Sequence, residues 1–351
     1  MGDIVLMKGN EAIGEAAIIA GCRFYFGYPI TPQNEIPAYM ALRLPQVGGT
    51  FLQAESELAA INMVFGASSA GARAMTSSSS PGISLKMEGI SYMSGAELPG
   101  VVVNMMRGGP GLGNIAGAQA DYFQAVKGGG HGDYRCIVLA PSTVQELADL
   151  TIVAFDLADA YRMVVMVLGD GYLGQMSEPI TLPKPSMKSF DKSAWVLSGA
   201  RGRDPRIVMS LRLHPEDALE KLNNSLQAKY NEVREKEIRW DEYETGDADY
   251  LLAGFGLSAR ICRSAVSELR KAGVRAGLFR PITLWPFPYA ELARAARGKR
   301  RILVVEMNAG QMVEDVKLAV EGSVPVDFYG TLGGVTPVVG AIVEKVAEYG
   351  R

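Results

Sequence analysis

The chain has 351 residues, of which 48% are apolar and 21% charged, and its formal net charge is −3. This balance predicts a globular protein without a basic stripe for nucleic acid, and no apolar run reaches the roughly 18 residues that a membrane span needs. Cys22, Cys136 and Cys262 are too far apart for a local zinc or iron–sulfur motif, and we expect a reducing, cytoplasmic location because no leader pattern precedes the first predicted helix.

Residues 1–182 are predicted to form one α/β domain. Apolar or aromatic runs predict buried strands, and apolar residues at helical spacing predict the helices between them. The predicted strands lie at residues 23–27, 73–76, 101–106, 135–139 and 163–168. Strands that alternate with helices indicate a doubly wound parallel sheet, in which ligands bind at the carboxyl ends of the strands.

Two segments near the first predicted strand are candidates for such a site. Segment 28–32 (YPITP) carries two prolines that stop the strand, and Pro32 suits the first turn of a helix with Thr31 as its N-cap. Segment 53–57 (QAESE) leads into a very apolar predicted helix that Glu57 opens. Two interpretations of this carboxylate stay open: it has a functional role, or it only stabilises the start of the helix by interacting with the helix dipole.

Two polar or glycine-rich segments follow later strands. Segment 77–82 (SSSSPG), which contains Ser80, is predicted as a loop that either cradles an anion or cofactor or only connects two elements. Segment 107–114 (RGGPGLGN) places Arg107 where it could clamp a carboxylate or a phosphate. Its glycine spacing does not fit the fingerprint of an NAD-binding loop, because Pro110 interrupts it.

Two further segments are weaker candidates. Segment 127–133 (KGGGHGD) is predicted as a flexible loop with His131, and a lone loop histidine is more often structural or exposed than catalytic. Segment 169–171 (GDG) is similar to the metal-binding motif of thiamine-diphosphate enzymes, but no asparagine follows Asp170 before Asn223. We therefore predict that 169–171 is a loop and that this chain holds no metal site.

Residues 183–249 are predicted to connect two domains. The connector continues as a charged helix over 215–240, whose apolar stripe favours packing on the body of the protein over binding a partner. Residues 250–351 are predicted as a second α/β domain of ordinary size, in which segment 280–288 (RPITLWPFP) is a rigid connection.

Several of these segments together resemble the alpha subunit of the 2-oxoacid:ferredoxin oxidoreductases. They are 28–32 (YPITP), 53–57 (QAESE), Arg107 with its GGP loop, 280–288 (RPITLWPFP) and 305–308 (VEMN). The resemblance covers nearly the whole chain. It implies an α/β fold, with a pyrimidine-type thiamine-diphosphate-binding domain built on the doubly wound parallel sheet and a transketolase-C-terminal-like α/β domain after it.

The resemblance also implies roles for the candidate residues. A glutamate at the position of Glu57 hydrogen-bonds the aminopyrimidine ring of thiamine in this family, and Thr31 and Arg107 match positions that bind the substrate and its carboxylate. These three are the predicted catalytic residues. The predicted contacts to the cofactor come from the same segments and are Glu57, Tyr28, Pro29, Ile30 and Ser80. If a helix starts between Glu55 and Glu57, only one of the two carboxylates can point into the site, and the resemblance favours Glu57.

The implied reaction is the oxidative decarboxylation of a 2-oxo acid to carbon dioxide and an acyl-coenzyme A, with reduction of an external ferredoxin. The implied cofactor is thiamine diphosphate, shared with a beta subunit that carries Mg2+ and the diphosphate site. The [4Fe-4S] clusters are expected on a ferredoxin-like subunit, a gamma subunit is a further possible partner, and coenzyme A is the co-substrate. The apolar helices around Glu57 are expected to face partner subunits.

The identity of the substrate stays open between two types of subunit. Segments 7–12 (MKGNEA), 53–57 and 127–133 are most similar to the branched-chain type, which acts on 2-oxoisovalerate (3-methyl-2-oxobutanoate). A 2-oxoglutarate-type subunit shares most of these features, and a second basic side chain for the distal carboxylate would favour it. Two further functions are less favoured. The presence of Thr31, Glu57 and Arg107 disfavours a non-catalytic scaffold subunit, and the glycine spacing disfavours a nucleotide-binding dehydrogenase.

Overall fold

The computed structural model of the chain describes residues 4–185 and 188–350. The strands in chain order are β1 Ile4–Lys8, β2 Phe24–Gly27, β3 Thr50–Gln53, β4 Ala74–Ser78, β5 Gly100–Met106, β6 Ile137–Leu139, β7 Val164–Asp170, β8 Ser177–Thr181, β9 Trp240–Tyr243, β10 Tyr250–Ala253, β11 Ala276–Pro281, β12 Thr283–Trp285, β13 Arg301–Glu306 and β14 Val326–Gly330. The α-helices are α1 Gly9–Ile19, α2 Glu35–Arg43, α3 Glu57–Ser69, α4 Ser80–Gly95, α5 Tyr122–Val126, α6 Val144–Tyr161, α7 Gly171–Gln175, α8 Ala218–Lys236, α9 Gly256–Lys271, α10 Tyr289–Ala296, α11 Met312–Val320 and α12 Val339–Ala347.

The larger sheet has seven strands in the order β12-β6-β7-β5-β4-β2-β3. All of its neighbouring strands are parallel except β12, which runs antiparallel to β6 at one edge. Every residue of β4, β5 and β7 is buried. β5 and β7 are rich in apolar residues because helices cover both faces of a parallel sheet, whereas β4 ends in the polar residues Thr76, Ser77 and Ser78. The prediction of a doubly wound α/β domain is confirmed.

The second sheet has five strands in the order β14-β13-β10-β11-β9. Its central strand β10 is parallel to both β11 and β13, whereas β9 runs antiparallel at the edge. A separate two-stranded antiparallel ribbon joins β1 to β8. The prediction of a second α/β unit is therefore also confirmed, and none of the helices in the described ranges is long and apolar enough to cross a membrane.

Two strands cross the predicted domain bounds. Segment 280–288, predicted as a rigid connection, contains β12, which leaves the second sheet and adds to the edge of the first. The predicted connector 183–249 contributes β9 to the second sheet. The bounds 1–182, 183–249 and 250–351 stay a prediction, and β9 and β12 each pair with a strand of another predicted segment.

The charged helix of the connector is α8, which packs on the body of the protein. Leu226, Tyr230 and Val233 of its predicted apolar stripe are buried, and the Tyr230 ring meets Trp285 of β12 edge to face. Leu219, at the start of the same stripe, is exposed. The interpretation of α8 as a surface helix on the body is confirmed for its carboxyl-terminal half.

Three predicted local structures are wrong. The helix predicted to begin at Pro32 begins at Glu35, with Asn34 before it. The predicted loop 77–82 does not form, because β4 continues through Ser78 and α4 begins at Ser80. The predicted loop 169–171 is also absent, because β7 ends at Asp170 and α7 begins at the next residue.

Candidate functional site

The turn between β2 and α2 lies at the carboxyl edge of the larger sheet. The Pro32 carbonyl accepts hydrogen bonds from the side-chain amides of Asn10, at 2.8 Å, and Gln175, at 2.9 Å. The same two amides also donate to the Glu35 carboxylate. Because the Pro32 carbonyl accepts hydrogen bonds from these two side chains, Pro32 belongs to the turn, and α2 begins only after it.

A buried polar chain ties this turn to β4. Gln33 is fully buried, donates to the Tyr28 carbonyl at 3.4 Å and accepts a hydrogen bond from Ser77. The Tyr25 hydroxyl lies 2.6 Å from the Ser77 hydroxyl. Burial raises the pKa of Tyr25 above its ordinary range, so the phenol stays protonated. Residues of β2, the turn and β4 thus form one rigid polar unit beneath segment 28–32.

Arg107 follows β5 and binds this turn from the other side. Its guanidinium donates to the carbonyl of Thr31 and to that of Leu112, both at 2.9 Å. Its backbone N–H donates to the Ser80 hydroxyl at 3.0 Å. The side chain is buried, and its Nε has no hydrogen-bond partner among the described residues. The structure therefore brings Thr31, Ser80 and Arg107 together and leaves Arg107 with a free donor.

Asp121 is a further acidic group beside Arg107. Its Oδ2 accepts hydrogen bonds from the Ser80 hydroxyl at 2.6 Å and from the Asn104 amide at 2.9 Å. Burial raises the pKa of Asp121, and these two hydrogen bonds oppose that shift. Ser80 consequently links the backbone of Arg107 to the Asp121 carboxylate.

Glu57 is the first residue of α3, and its side chain is 5% exposed. The Ser56 hydroxyl caps this helix by accepting from the Ala59 N–H at 3.1 Å. Glu55, outside the helix, is exposed. This contrast confirms that only one carboxylate of the pair points inwards. The Glu57 carboxylate packs against Gly82 in the first turn of α4, where an added Cβ would overlap its Oε1.

Lys86 lies one turn further along α4 and is fully buried. Its ammonium donates to the main-chain carbonyl of Glu57 at 3.2 Å. Burial lowers the pKa of Lys86 to about 8, and the charge of Glu57 opposes this shift. A buried positive charge therefore lies behind the amino end of α3.

A cavity of about 680 Å³ opens between the two sheets in front of Arg107. One wall consists of Ser80, Arg107 with its glycine loop, and Asp121, and the opposite wall consists of residues 307–309, Gln311 and residues 332–333. Thr31 and Glu57 are not among its lining residues; Thr31 is joined to the wall by its hydrogen bond to Arg107, and Glu57 contacts Gly82 in the first turn of α4. This volume is large enough for a small organic acid.

A hydrogen-bonded network connects the two walls of the cavity. The Gln119 amide donates to the Phe255 carbonyl at 2.9 Å and accepts from the Ser258 hydroxyl at 2.7 Å. The Asn308 amide donates to the Gln119 carbonyl at 2.8 Å. Glu306, also buried, accepts from the Asn308 amide and from backbone N–H groups at the start of α11. Segment 305–308 (VEMN) thus fixes the cavity wall.

Asp170 is buried at the end of β7 and caps α7. Its Oδ1 accepts from the Leu173 N–H at 3.0 Å, and its Oδ2 has no partner among the described residues. Burial raises the pKa of Asp170 to about 6. In the described part of the chain, no group of three or more His, Cys, Asp or Glu side chains could hold a metal ion.

The loop 127–133 lies apart from the Arg107 cavity. Lys127 forms an ion pair with Asp315 at 2.6 Å, and Tyr122 donates to the same carboxylate. His131 is exposed, and its ring lies edge to face with that of Tyr92. It lines a different cavity, beside α8.

Several residues of the site carry no local sequence signal. Gln33, Lys86 and Asn104 become neighbours of the predicted residues only through the packing of separate elements. Asp121 could have been noticed, because an acidic residue follows shortly after the glycine-rich loop. Tyr28 and Pro29, which were predicted to bind a cofactor, are exposed on this chain, whereas Ile30 is half-buried.

Comparison with known families finds matches over nearly the whole chain. A family described as pyruvate flavodoxin/ferredoxin oxidoreductase, thiamine diphosphate-binding, matches residues 15–250, and the pyruvate:ferredoxin oxidoreductase core domain II matches residues 248–342. The ketoisovalerate oxidoreductase subunit VorB of Methanothermobacter thermautotrophicus is 49% identical over 343 residues, which cover 98% of this chain and 97% of the relative. The 2-oxoglutarate synthase subunit KorA of Methanothermobacter marburgensis is 38% identical over 93% of this chain and 94% of the relative.

Two solved structures are similar to the described fold. The 2-oxoglutarate:ferredoxin oxidoreductase of Magnetococcus marinus, with 2-oxoglutarate, coenzyme A and succinyl-CoA bound, has a TM-score of 0.89 and 30% identity. The match covers 99% of this chain but 65% of that chain. A split-gene transketolase, described as an inactive beta4 tetramer, has a TM-score of 0.58 at 14% identity and supports the fold alone.

Proposed function

Because the chain belongs to the pyruvate flavodoxin/ferredoxin oxidoreductase family, we propose that it is the subunit of a 2-oxoacid:ferredoxin oxidoreductase that supplies the pyrimidine half of a thiamine diphosphate site. The proposed reaction converts 2-oxoisovalerate and coenzyme A to an acyl-coenzyme A and carbon dioxide, and two electrons pass to ferredoxin. The observation that carries the proposal is the meeting of Thr31, Arg107 and the first turn of α4, which Glu57 contacts, at one edge of the sheet.

The donors and acceptors at this edge fit the polar ring of thiamine. Glu57 offers a buried carboxylate, and the hydroxyls of Ser78 and Ser79 are buried without a hydrogen-bond partner among the described residues. A buried polar atom without a partner costs free energy, so such atoms cluster where a ligand completes them. We therefore propose that Glu57 and the exposed residues of segment 28–32 bind the aminopyrimidine ring of thiamine, and that Ser80 lies near it.

The side chains of this chain bind, orient and hold protons. When bound, thiamine diphosphate supplies the nucleophilic carbon and the electron sink that release carbon dioxide from a 2-oxo acid. The Glu57 carboxylate is assigned to hydrogen-bond a ring nitrogen and to exchange a proton with it. Arg107, which lines the cavity, is assigned to the carboxylate of the substrate, and Thr31 orients the substrate. The two carbonyls bound by Arg107 keep its guanidinium in place for this contact.

Partner subunits complete the proposed site. Tyr28 is 37% exposed on this chain, although its segment is assigned to the cofactor. The described residues contain no cluster that could hold a metal ion, so we assign Mg2+ and the diphosphate to a beta subunit and the iron–sulfur clusters to a ferredoxin-like subunit. The three cysteines of this chain are free and buried, which suits the cytoplasmic complex that we propose.

The branched-chain substrate is favoured by the order of similarity. The ketoisovalerate subunit is 49% identical to this chain, whereas the 2-oxoglutarate synthase subunits of archaea are 36–40% identical. Among the described residues that line the cavity, Arg107 is the one with a basic side chain. One arginine serves the carboxylate shared by all 2-oxo acids and leaves the rest of the cavity for an apolar chain.

The test is an anaerobic assay of the complex purified with its partner subunits. Reduction of a viologen dye is followed with 2-oxoisovalerate, 2-oxoglutarate and pyruvate, in the presence of thiamine diphosphate and coenzyme A. We expect 2-oxoisovalerate to be preferred, and we expect Glu57→Gln to lower kcat by about 100-fold or more. The exposed Glu55→Gln variant is the matched control and should retain activity.

Each other outcome has a defined meaning. A preference for 2-oxoglutarate would retain the reaction and refute the branched-chain substrate. Full activity of Glu57→Gln would refute the assignment of the ring to Glu57. A complex that contains thiamine diphosphate and its clusters but decarboxylates none of the three acids would refute the proposed enzyme and favour a scaffold subunit.

A further inference from the structure

Lys86 is a fully buried ionisable residue for which the proposed reaction gives no role. It lies on α4 among apolar side chains of the same helix, including the fully buried Ile83 and Ile90. A lysine is almost never fully buried unless it is paired, because its charge loses its hydration. A methionine of similar length would fill this position at lower cost.

The contacts of Lys86 point to one residue. Its ammonium donates to the main-chain carbonyl of Glu57 at 3.2 Å, and this bond joins α4 to the first residue of α3. Glu57 is also the charged group that acts on Lys86 electrostatically. A lysine and a glutamate on neighbouring helices are therefore buried together at the amino end of α3.

The charge of Lys86 opposes that of a buried carboxylate. Glu57 is 5% exposed, so water screens the pair only weakly. Burial favours the neutral amine and lowers the pKa of Lys86 to about 8, but the ammonium remains the main form at neutral pH. Buried charges of opposite sign often stabilise a fold no more than apolar groups of similar size would, so stability does not explain why a lysine occupies this position.

We propose that Lys86 is a positioning residue for Glu57, which holds the amino end of α3 in place and supplies the positive charge that the buried Glu57 carboxylate needs to bind the thiamine ring. This inference rests on the proposed role of Glu57. Lys86 touches neither substrate nor cofactor, and it acts through the charge and the backbone of Glu57.

The test is a double-mutant cycle of Lys86→Met and Glu57→Gln in the complex with its partner subunits. The readouts are the Tm without cofactor and the Kd for thiamine diphosphate, measured by fluorescence quenching. In the chain with Glu57, we expect Lys86→Met to weaken binding by about tenfold; in the Glu57→Gln background, it should have little further effect. Lys86→Met should lower the Tm in both backgrounds. The fall should be larger by about 2 °C when Glu57 is present than in the Glu57→Gln background.

A second variant separates the charge from the hydrogen bond. Lys86→Gln keeps an N–H donor for the Glu57 carbonyl but has no charge, so we expect it to lose affinity as Lys86→Met does. Met93→Leu, a buried substitution on the same helix, is the matched control and should retain the affinity. Rescue by Lys86→Gln would overturn the charge role, and strictly additive effects in the cycle would overturn the coupling.

Failure of this inference differs from failure of the proposed function. If Glu57→Gln itself leaves the affinity for thiamine diphosphate unchanged, the proposed function of Glu57 is wrong. If Glu57→Gln weakens binding but Lys86→Met does not, only the role of Lys86 is wrong. If Lys86→Met does not yield a folded complex, the cycle is carried out with Lys86→Gln, and additive effects there refute the coupling equally.

Discussion

Substituting Gly82 by alanine tests how α4 and α3 meet at the candidate site. Gly82 lies in the first turn of α4, and a Cβ built on it would overlap both the Ser78 hydroxyl and Oε1 of Glu57. Ser78 belongs to a central strand and is fully buried, so it cannot withdraw. We expect the Glu57 carboxylate to be displaced.

The cost follows from two opposing effects. Overpacking of a tightly packed interior costs about 1–3 kcal/mol. Alanine in place of glycine gains about 0.5–1 kcal/mol in a helix interior, and less in the first turn. The free energy of unfolding should therefore fall by about 1–2 kcal/mol. For a folded unit of 351 residues, the Tm should fall by about 1–3 °C.

The measurements are the Tm of the chain and the Kd of the complex for thiamine diphosphate. Gly66→Ala is the matched control, because Gly66 lies inside α3 with open space around its added Cβ. We expect that control to raise stability by about 0.5–1 kcal/mol and to leave thiamine binding unchanged. If Gly82→Ala has the same Tm and the same Kd for thiamine diphosphate as the control, the conclusion that Glu57 packs against α4 at Gly82 is wrong.

Two further predictions concern the junction of the sheets and a buried acid. Arg280 makes a bidentate contact with Glu146 at 2.6 and 2.7 Å, so Arg280→Met should lower the free energy of unfolding by about 2–3 kcal/mol in chemical denaturation. Lys271→Met, at an exposed ion pair with Glu268, should cost less than about 1 kcal/mol, and equal costs would refute the distinction. Burial raises the pKa of Asp170 to about 6, so the folded chain holds this proton more tightly than the unfolded chain does. The stabilisation that Asp170 contributes should therefore fall by up to about 3 kcal/mol as the pH rises from about 4 to 6. Asp170→Asn should remove this pH dependence from the free energy of unfolding. The same pH dependence in the variant and in the unchanged chain would contradict the prediction.

The sequence alone was sufficient to predict the α/β class and most strands of the larger sheet. Central parallel strands are buried on both faces, so they appear as continuous runs such as 101–106 and 163–168, which no surface constraint interrupts. Thr31 and Arg107 were predicted from the same logic, because each follows a strand at the edge where ligands bind. The structure places the two in direct contact.

Local signals were misleading where side chains from distant segments decide the backbone. Pro32 carries a good helix-start signal, but Asn10 and Gln175 occupy its carbonyl and keep it in a turn. The four serines of 77–80 look like a loop, but Ser77 and Ser78 end β4, Ser80 begins α4, and Ser77, Ser78 and Ser79 are fully buried. Side-chain polarity is therefore no guide to exposure here, and the hydroxyls of Ser78 and Ser79 are buried without a hydrogen-bond partner among the described residues.

What the sequence determined is the set of elements and the residues at their ends, because period and capping are local properties of the chain. Only the tertiary structure decided which of these ends meet. It placed β12 of the second unit at the edge of the first sheet, and it buried Lys86 behind Glu57. Such contacts join residues far apart in the chain, and their energies depend on burial and charge that no short segment encodes.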